Sequence, residues 1–204
     1  MHLFYKYNSL ISTNHVIDNY NLLPEIKIIE DNFKLIYTDF LKIKHKLTPI
    51  YKDHYFNDII KDDKWSKYYI KWYNKIPNHV LNDIPNLSKL INSLPNIKLA
   101  MFSVMKPGTV VLPHRGPFRG CVRCHLGIDI PNNNCYIKIS DIKYYWKKGK
   151  CLVFDDTYEH EVINDSNHDR IVLFLDIQRP LKNYNLIKFI NNVLLYINSF
   201  SKVI

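Results

Sequence analysis

The sequence predicts a mainly β protein with flanking helices: a helical N-terminal part, a small β-sandwich or barrel, and a closing helix. Three observations carry this. Apolar residues recur three and four apart through residues 29–47, the repeat of one helix face. From Lys98 onward the apolar runs shorten and are broken by Pro-Gly, Asn-rich and Lys-Gly turns. That is the texture of short strands, not of alternating β–α units. Helical spacing then returns in Ile187, Ile190, Leu194 and Ile197.

The first helix uses Ile29, Phe33, Ile36, Tyr37, Phe40, Ile43 and Leu47. It ends at Thr48-Pro49, because proline removes a donor and restricts the residue before it. A Tyr/Trp-rich segment at about 64–74 continues the helical part. Its Trp65, Tyr68, Tyr69, Trp72 and Tyr73 have partly helical spacing and are expected to pack on the core. A short helix over 86–93 is closed by Pro95. Strands are expected at 98–104, 109–113, 122–130, 135–139, 151–154 and 170–177. Lys106-Pro107-Gly108, Pro131-Asn132-Asn133-Asn134 and Lys148-Gly149 supply turns between them. A last helix, about 183–200, covers the sheet. The expected layout is a helical part over 1–97, a β core over 98–180 and a C-terminal helix within 181–204, all in one compact domain.

Composition removes several function classes. Hydrophobic residues make up 47% and aromatics 14% of 204 residues, which excludes a disordered chain. With 5 Gly and 10 Pro, collagen-like and low-complexity readings fail. The net charge of +9 invites a nucleic-acid reading. Its distribution argues against one: residues 1–100 carry 14 basic and 10 acidic side chains, and residues 101–204 carry 14 and 9. No basic tail or Arg stripe concentrates the excess. Residues 1–6 do not begin a charged segment followed by an apolar run, so no signal peptide is expected. No run of about 18 apolar residues exists, so no membrane span is expected and a cytoplasmic location follows. Cys121, Cys124, Cys135 and Cys151 are then expected as reduced thiols, read as small buried hydrophobes and not as a zinc site. The spacing of the second pair does not suit structural zinc.

One strand carries chemical information. In residues 122–130 the apolar side chains are Val122, Cys124, Leu126, Ile128 and Ile130, and the other face holds Arg123, His125, Gly127 and Asp129. Strand side chains alternate, so Arg123 and His125 point the same way, either into water or into a cavity. His114 follows a strand and precedes the turn Arg115-Gly116-Pro117; His160 also follows a strand, and Arg170 opens another. Two histidines at strand ends can converge on one metal, and an arginine offers a bidentate grip on a carboxylate. Such a set suits a non-haem iron site that chelates a keto acid.

Several motifs, in order, resemble the aspartyl/asparaginyl β-hydroxylase family. They are Pro113-His114-Arg115-Gly116-Pro117, Arg123-Cys124-His125-Leu126-Gly127, Gly149-Lys150, Phe154-Asp155-Asp156, His160-Glu161-Val162 and Arg170. The resemblance covers about residues 98–180, with a weaker echo at 64–74. It implies a double-stranded β-helix (a jelly-roll, cupin-like core) and an iron(II)- and 2-oxoglutarate-dependent dioxygenase. By the same resemblance His114 and His160 are the iron ligands, and Arg170 binds the distal carboxylate of 2-oxoglutarate. Ser103, eleven residues before His114, matches a hydroxyl near that carboxylate. Arg123 and His125 match cosubstrate contacts, and Trp72 matches a pocket tryptophan.

Most oxygenases of this class place a carboxylate two residues after the first histidine. Here that position is Gly116, as in the resembled family, and weaker metal retention follows. Asp155 or Asp156 can hydrogen-bond a ligand or its water, or simply form a strand-end turn. The implied cosubstrates are Fe(II), 2-oxoglutarate and O2, with ascorbate in support. The implied substrate is the β-carbon of Asp or Asn in a peptide or protein. The alternatives are a free amino acid, a lipid acyl chain, or a non-catalytic β-sandwich binding module.

Overall fold

The computed structural model describes residues 6–17, 20–52, 59–60, 62–73, 75–181 and 185–198. Five α-helices of six residues or more and ten strands occur among them. The helices are α1 (Pro24–Asp31), α2 (Phe33–Ile43), α3 (Asn78–Asp83), α4 (Pro85–Asn92) and α5 (Asn185–Asn198). The strands are β1 (Thr48–Pro49), β2 (Trp65–Trp72), β3 (Ile97–Met105), β4 (Thr109–His114) and β5 (Cys121–Asp129). They continue with β6 (Cys135–Ile139), β7 (Ile142–Tyr144), β8 (Cys151–Phe154), β9 (His160–Asn164) and β10 (Arg170–Gln178). Six strands form one sheet in the order β1-β2-β3-β10-β5-β8, and four form the other in the order β4-β9-β6-β7. All pairings of these strands are antiparallel. This is the two-sheet sandwich of a double-stranded β-helix.

The six-stranded sheet is buried on both faces. Toward the helices, Tyr68, Ile70, Phe102, Cys124, Leu126, Leu173 and Leu175 pack with Ile29, Ile36, Phe40, Leu87 and Ile91. Toward the four-stranded sheet, Trp65, Tyr69, Trp72, Met101, Met105, Phe154 and Phe174 pack with Val111, Ile137, Ile139 and Val162. Each Leu- or Ile-sized side chain so buried contributes about 1.5–3 kcal/mol. The six-stranded sheet is thus a middle layer between helices and the second sheet.

The helical face through residues 29–47 divides. Asn32 interrupts it with φ −94° and ψ 18°, and its side-chain Nδ2 donates to the Ile28 carbonyl at 2.8 Å. Ile29, Ile36, Phe40 and Ile43 remain on one buried side. The larger correction is to the segment expected over 64–74: Trp65–Trp72 are not helical but form β2, paired with β3, and residue 74 lies outside the described residues. A strand buried on both faces lacks polar alternation, and that removed its sequence signature. A bulge between Tyr69 and Lys71 puts Trp72 back on the face of Trp65 and Tyr69. The helix α3 and the strands β7 and β9 are further elements absent from the sequence reading.

The C-terminal helix also packs differently. Among the described side chains of α5, Asn191, Leu194 and Leu195 are buried, the two leucines joining Tyr7, Ile11 and Phe118, while Ile197 is 56% exposed. Asn191 donates to the Gly120 carbonyl at 3.3 Å. The helix therefore covers the β4–β5 connection rather than a sheet face. The side chain of Ile187, the rest of the helix expected over 183–200, and residues 1–5 lie outside the described residues. At the other end of the chain, the Ile17 amide donates to the Val153 carbonyl and the Asp155 amide to the His15 carbonyl, both at 3.0 Å. Val16 bridges Phe154, so this segment lines the β8 edge.

Phe102 is fully buried between β2, β10 and α2, stacking edge-on against Phe40 at 5.2 Å. Phe102→Ala is expected to lower stability by about 3–5 kcal/mol. Leu41→Ala, on the solvent side of α2 at 44% exposure, should stay within about 0.5 kcal/mol. Denaturant unfolding of the two variants checks the contrast.

Candidate active site

The space between the sheets is lined by side chains from both. β4 and β9 pair so that His114 lies directly opposite His160, and the two ring centroids are 4.1 Å apart. Nδ1 of His114 bonds the Leu112 carbonyl at 2.7 Å, and Nδ1 of His160 bonds the Tyr158 carbonyl at 2.9 Å. A carbonyl only accepts, so each Nδ1 carries the proton and each neutral ring keeps its lone pair on Nε2. Burial holds both rings below the usual histidine range: His160 falls to about 3, helped by the neighbouring His114, and His114 is lowered as well. Two neutral imidazoles with free lone pairs, each oriented by a backbone carbonyl, can bind a divalent metal. Among the described residues no third His, Cys, Asp or Glu joins them.

The opposite wall comes from the inward face of the six-stranded sheet. Trp65, Ser103, Met105, Arg123, His125, Arg170 and Phe174 line the cavity with the two histidines. The alternation of β5 thus has a definite outcome: Val122, Cys124, Leu126 and Ile128 face the helices, and Arg123 and His125 face this cavity. None of the four cysteines is in a disulfide, and all are buried.

Arg170 is 2% exposed, with Nε and Nη1 unpartnered among the described residues. Its Nη2 reaches Met105 Sδ, and no carboxylate pairs with it among the described residues. Burial lowers its pKa to about 10, still protonated at neutral pH. Ser103 Oγ accepts from Trp65 Nε1 at 2.9 Å, which leaves the hydroxyl proton to donate. His125 is held well below the usual range by burial and by the charges of Arg170 and Arg123, and its Nε2 has no partner among the described residues. A buried cation without a counter-charge, flanked by spare donors, fits a carboxylate ligand.

Arg123 is placed differently from Arg170. Its guanidinium bonds Asp176 at 3.0 Å and Asp156 at 2.9 Å, and it stacks 4.4 Å over Phe174. Its charge is already compensated by two carboxylates. Burial, opposed by Arg123 and reinforced by Asp176 and Asp155, raises Asp156 to about 6. Asp156 also explains Gly116: a Cβ there would stand 2.0 Å from Asp156 Oδ2. The Gly116 amide donates to the Asp156 carbonyl at 2.7 Å. A side-chain carboxylate at 116 has no room because another carboxylate occupies it. Asp155 faces away, accepting from Thr13, Thr157 and Arg179.

The fold therefore brings His114, His160, Ser103, Arg123, His125 and Arg170 to one cavity. Trp72 is not among the lining residues; it lies opposite Leu99, and Trp65 at the other end of β2, opposite Met105, reaches Ser103 instead. Both tryptophans belong to one aromatic segment, and spacing alone did not separate them. Trp146, whose indole donates to His125 at 3.3 Å, carried no sequence signal of its role.

The two imidazoles thus face one another between the sheets of a double-stranded β-helix, tilted by 54° and with Nε2 of each left to ligate. The Aspartyl/Asparaginyl beta-hydroxylase family model matches residues 30–180, and the chain belongs to that family. It is 33% identical over 148 residues to an ornithine lipid ester-linked acyl 2-hydroxylase of Rhizobium tropici, covering 72% of this chain and 52% of that protein. It is 31% identical over 160 residues to the human (Homo sapiens) aspartyl/asparaginyl beta-hydroxylase, covering 76% of this chain and 21% of that one. The chain thus spans about half the length of the first relative and about a fifth of the second. Among solved structures, a Pseudomonas putida prolyl-4-hydroxylase aligns at TM-score 0.47 and 16% identity, over 74% of this chain and 87% of that one.

Two outcomes are expected. In metal-free protein, unfolded His160 binds a proton below about pH 6.5 while folded His160 stays neutral to about 3. The unfolded state then holds more protons, so stability falls as pH drops through that window. The loss is up to about 1.4 kcal/mol per pH unit for one histidine. His160→Gln should flatten the slope of stability against pH between 6 and 4, read by denaturant titrations. Separately, Gly116→Ala should displace the Asp156 carboxylate and cost about 1–3 kcal/mol, read as a lower melting temperature.

Proposed function

We propose that the protein is an iron(II)- and 2-oxoglutarate-dependent dioxygenase that hydroxylates an unactivated carbon. The observation that carries this is Arg170: a fully buried guanidinium, without a carboxylate among the described residues, across the cavity from two metal-competent imidazoles. A dicarboxylic keto acid answers both needs, with one carboxylate for the arginine and a chelating end for the metal.

In this reading His114 and His160 hold iron through Nε2. Iron(II) with 2-oxoglutarate and O2 supplies oxidative decarboxylation to succinate and CO2, coupled to placing one oxygen atom in a C–H bond. Arg170 grips the distal carboxylate, and the Ser103 hydroxyl, oriented by Trp65, donates to the same group. His125 donates from Nε2 to the cosubstrate. Asp156, packed against Gly116 two residues after His114, would accept a hydrogen bond from a group near the metal site. Arg123 keeps Asp156 in place and lines the cosubstrate cavity. The apolar wall of Val111, Ile137, Val162 and Phe174 excludes water around the reacting groups.

For the substrate, family membership supports the β-carbon of an Asp or Asn side chain in a peptide. A second reading is a lipid acyl chain, supported by the name of the Rhizobium tropici relative. Mass spectrometry of a peptide library and of acyl lipids, each incubated with protein, iron, ascorbate and 2-oxoglutarate, separates them by where a one-oxygen gain appears.

Arg170→Ala should abolish succinate formation at ordinary 2-oxoglutarate concentrations, with the fold retained by circular dichroism. Full turnover in that variant removes the assigned role. A wild-type protein that folds but yields no succinate, with or without substrate, is a binding module instead.

A further inference from the structure

Trp146 is absent from the roles assigned so far, yet it touches two of the residues that face the cosubstrate. It lies between β7 and β8 and is buried. The backbone that follows it is laid on β5 at Gly127. The Gly127 amide donates to the Lys150 carbonyl at 3.0 Å, and the Gly149 amide donates to the Gly127 carbonyl at 2.8 Å. A Cβ on residue 127 would stand 2.4 Å from the Lys147 carbonyl oxygen. The approach is possible because residue 127 has no side chain. It brings Trp146 over His125, two residues back on the same face of β5.

There the indole makes two contacts. Its Nε1 donates to His125 Nδ1 at 3.3 Å, with the rings stacked at 6.1 Å and 27°. Its face lies 4.8 Å from the Arg170 guanidinium carbon. An indole N–H can only donate, so His125 Nδ1 must accept. In the neutral ring the proton then sits on Nε2, the atom without a partner among the described residues. Three histidines in one cavity are thus fixed in two opposite tautomers. Carbonyls turn His114 and His160 into lone-pair donors, and an indole turns His125 into a proton donor.

We propose that Trp146 is a positioning residue for the cosubstrate: it fixes the His125 tautomer that donates toward the dicarboxylate and steadies the Arg170 guanidinium beside it. This rests on the function proposed above, since the dicarboxylate is 2-oxoglutarate. Without the indole N–H, nothing on that side prevents His125 from placing its proton on Nδ1. Its Nε2 lone pair would then face an anion and repel it. Arg170 would keep its charge but lose part of the aromatic surface that holds it.

The test uses full-length protein with Mn(II), without oxygen, and 2-oxoglutarate as the titrant in calorimetry. Trp146→Phe keeps a ring and removes the N–H, and it should raise the Kd for 2-oxoglutarate about tenfold. In a separate assay with iron(II) and oxygen, the maximal rate of succinate formation at saturating cosubstrate should stay within about twofold of wild type, because the loss is in binding. His125→Gln supplies an N–H that needs no tautomer. In that background Trp146→Phe should change Kd by less than about twofold. Nitrogen NMR of labelled histidine reads the tautomer directly and should find wild-type His125 protonated on Nε2, with Nδ1-protonated ring appearing in Trp146→Phe. An Nδ1-protonated His125 in the wild type, or additive effects of the two substitutions, overturns the inference. If Trp146→Phe does not fold, the wild-type spectrum still decides. A wild-type protein that binds no 2-oxoglutarate overturns the function reading instead, and the spectrum separates that failure from this one.

Discussion

β4 and β9 run antiparallel in a register that sets His114 opposite His160, and the chemistry of the cavity depends on that pairing. Strand side chains have a period of two, so a one-residue slip would turn either imidazole to the outer face. The register is not uniform: it shifts between Val111 and His114, so the last residue of β4 is reset relative to the rest of the strand. The same local device then finishes both rings, with each Nδ1 bound to the carbonyl two residues earlier. Pairing fixes where the rings stand, and the carbonyls fix which nitrogen each one offers.

The half-buried Arg123 and two buried arginines, Arg179 and Arg170, show how charge is distributed around the site. Arg179 is bound to Asp155, and Arg123 sits between Asp156 and Asp176. Arg170 has no acid among the described residues, only a thioether and an aromatic face. Burying a cation in this way costs stability unless an anion arrives. The first two arginines hold the scaffold of loops behind the histidines, and the third leaves an electrostatic deficit that an anionic ligand can relieve. The crowding of Asp156 against Gly116 belongs to the same scheme. The room that a side chain at 116 would need is filled by the Asp156 carboxylate, which comes from the β8–β9 connection and is tied to Arg123.

Much of this was legible because polar residues interrupted apolar patterns. Arg123 and His125 stood out on β5 because the other side of that strand is wholly apolar. His114, His160 and Arg170 stood out as isolated polar groups at strand ends, and the motif order tied them together. β2 was illegible for the opposite reason. Tyr68 and Ile70 face the helices while Trp65, Tyr69 and Trp72 face the second sheet, so no polar side marked its period. The bulge after Tyr69 then made two tryptophans share a face at odd spacing, a shift that only the partner strand reveals. The amphipathic reading of α5 failed at Ile197 because the buried anchor is polar, Asn191, and binds a backbone carbonyl. Contacts between distant loops, such as Trp146 with His125 or Asp156 with Gly116, leave no local periodicity at all.

The segment at residues 13–17 has a consequence for how the molecule comes into being. Thr13 donates to the Asp155 carboxylate, Tyr158 donates to the Thr13 carbonyl, and Ile17 donates to Val153. These partners are made some 140 positions later in synthesis, as the sequence separations of 142 and 145 show. A ribosome releases the early stretch long before its resting place exists, and contacts of such high separation form slowly. This stretch is therefore made well before its partners and is among the last to be seated, and closing it completes the support behind His160 through Tyr158, whose carbonyl binds the ring.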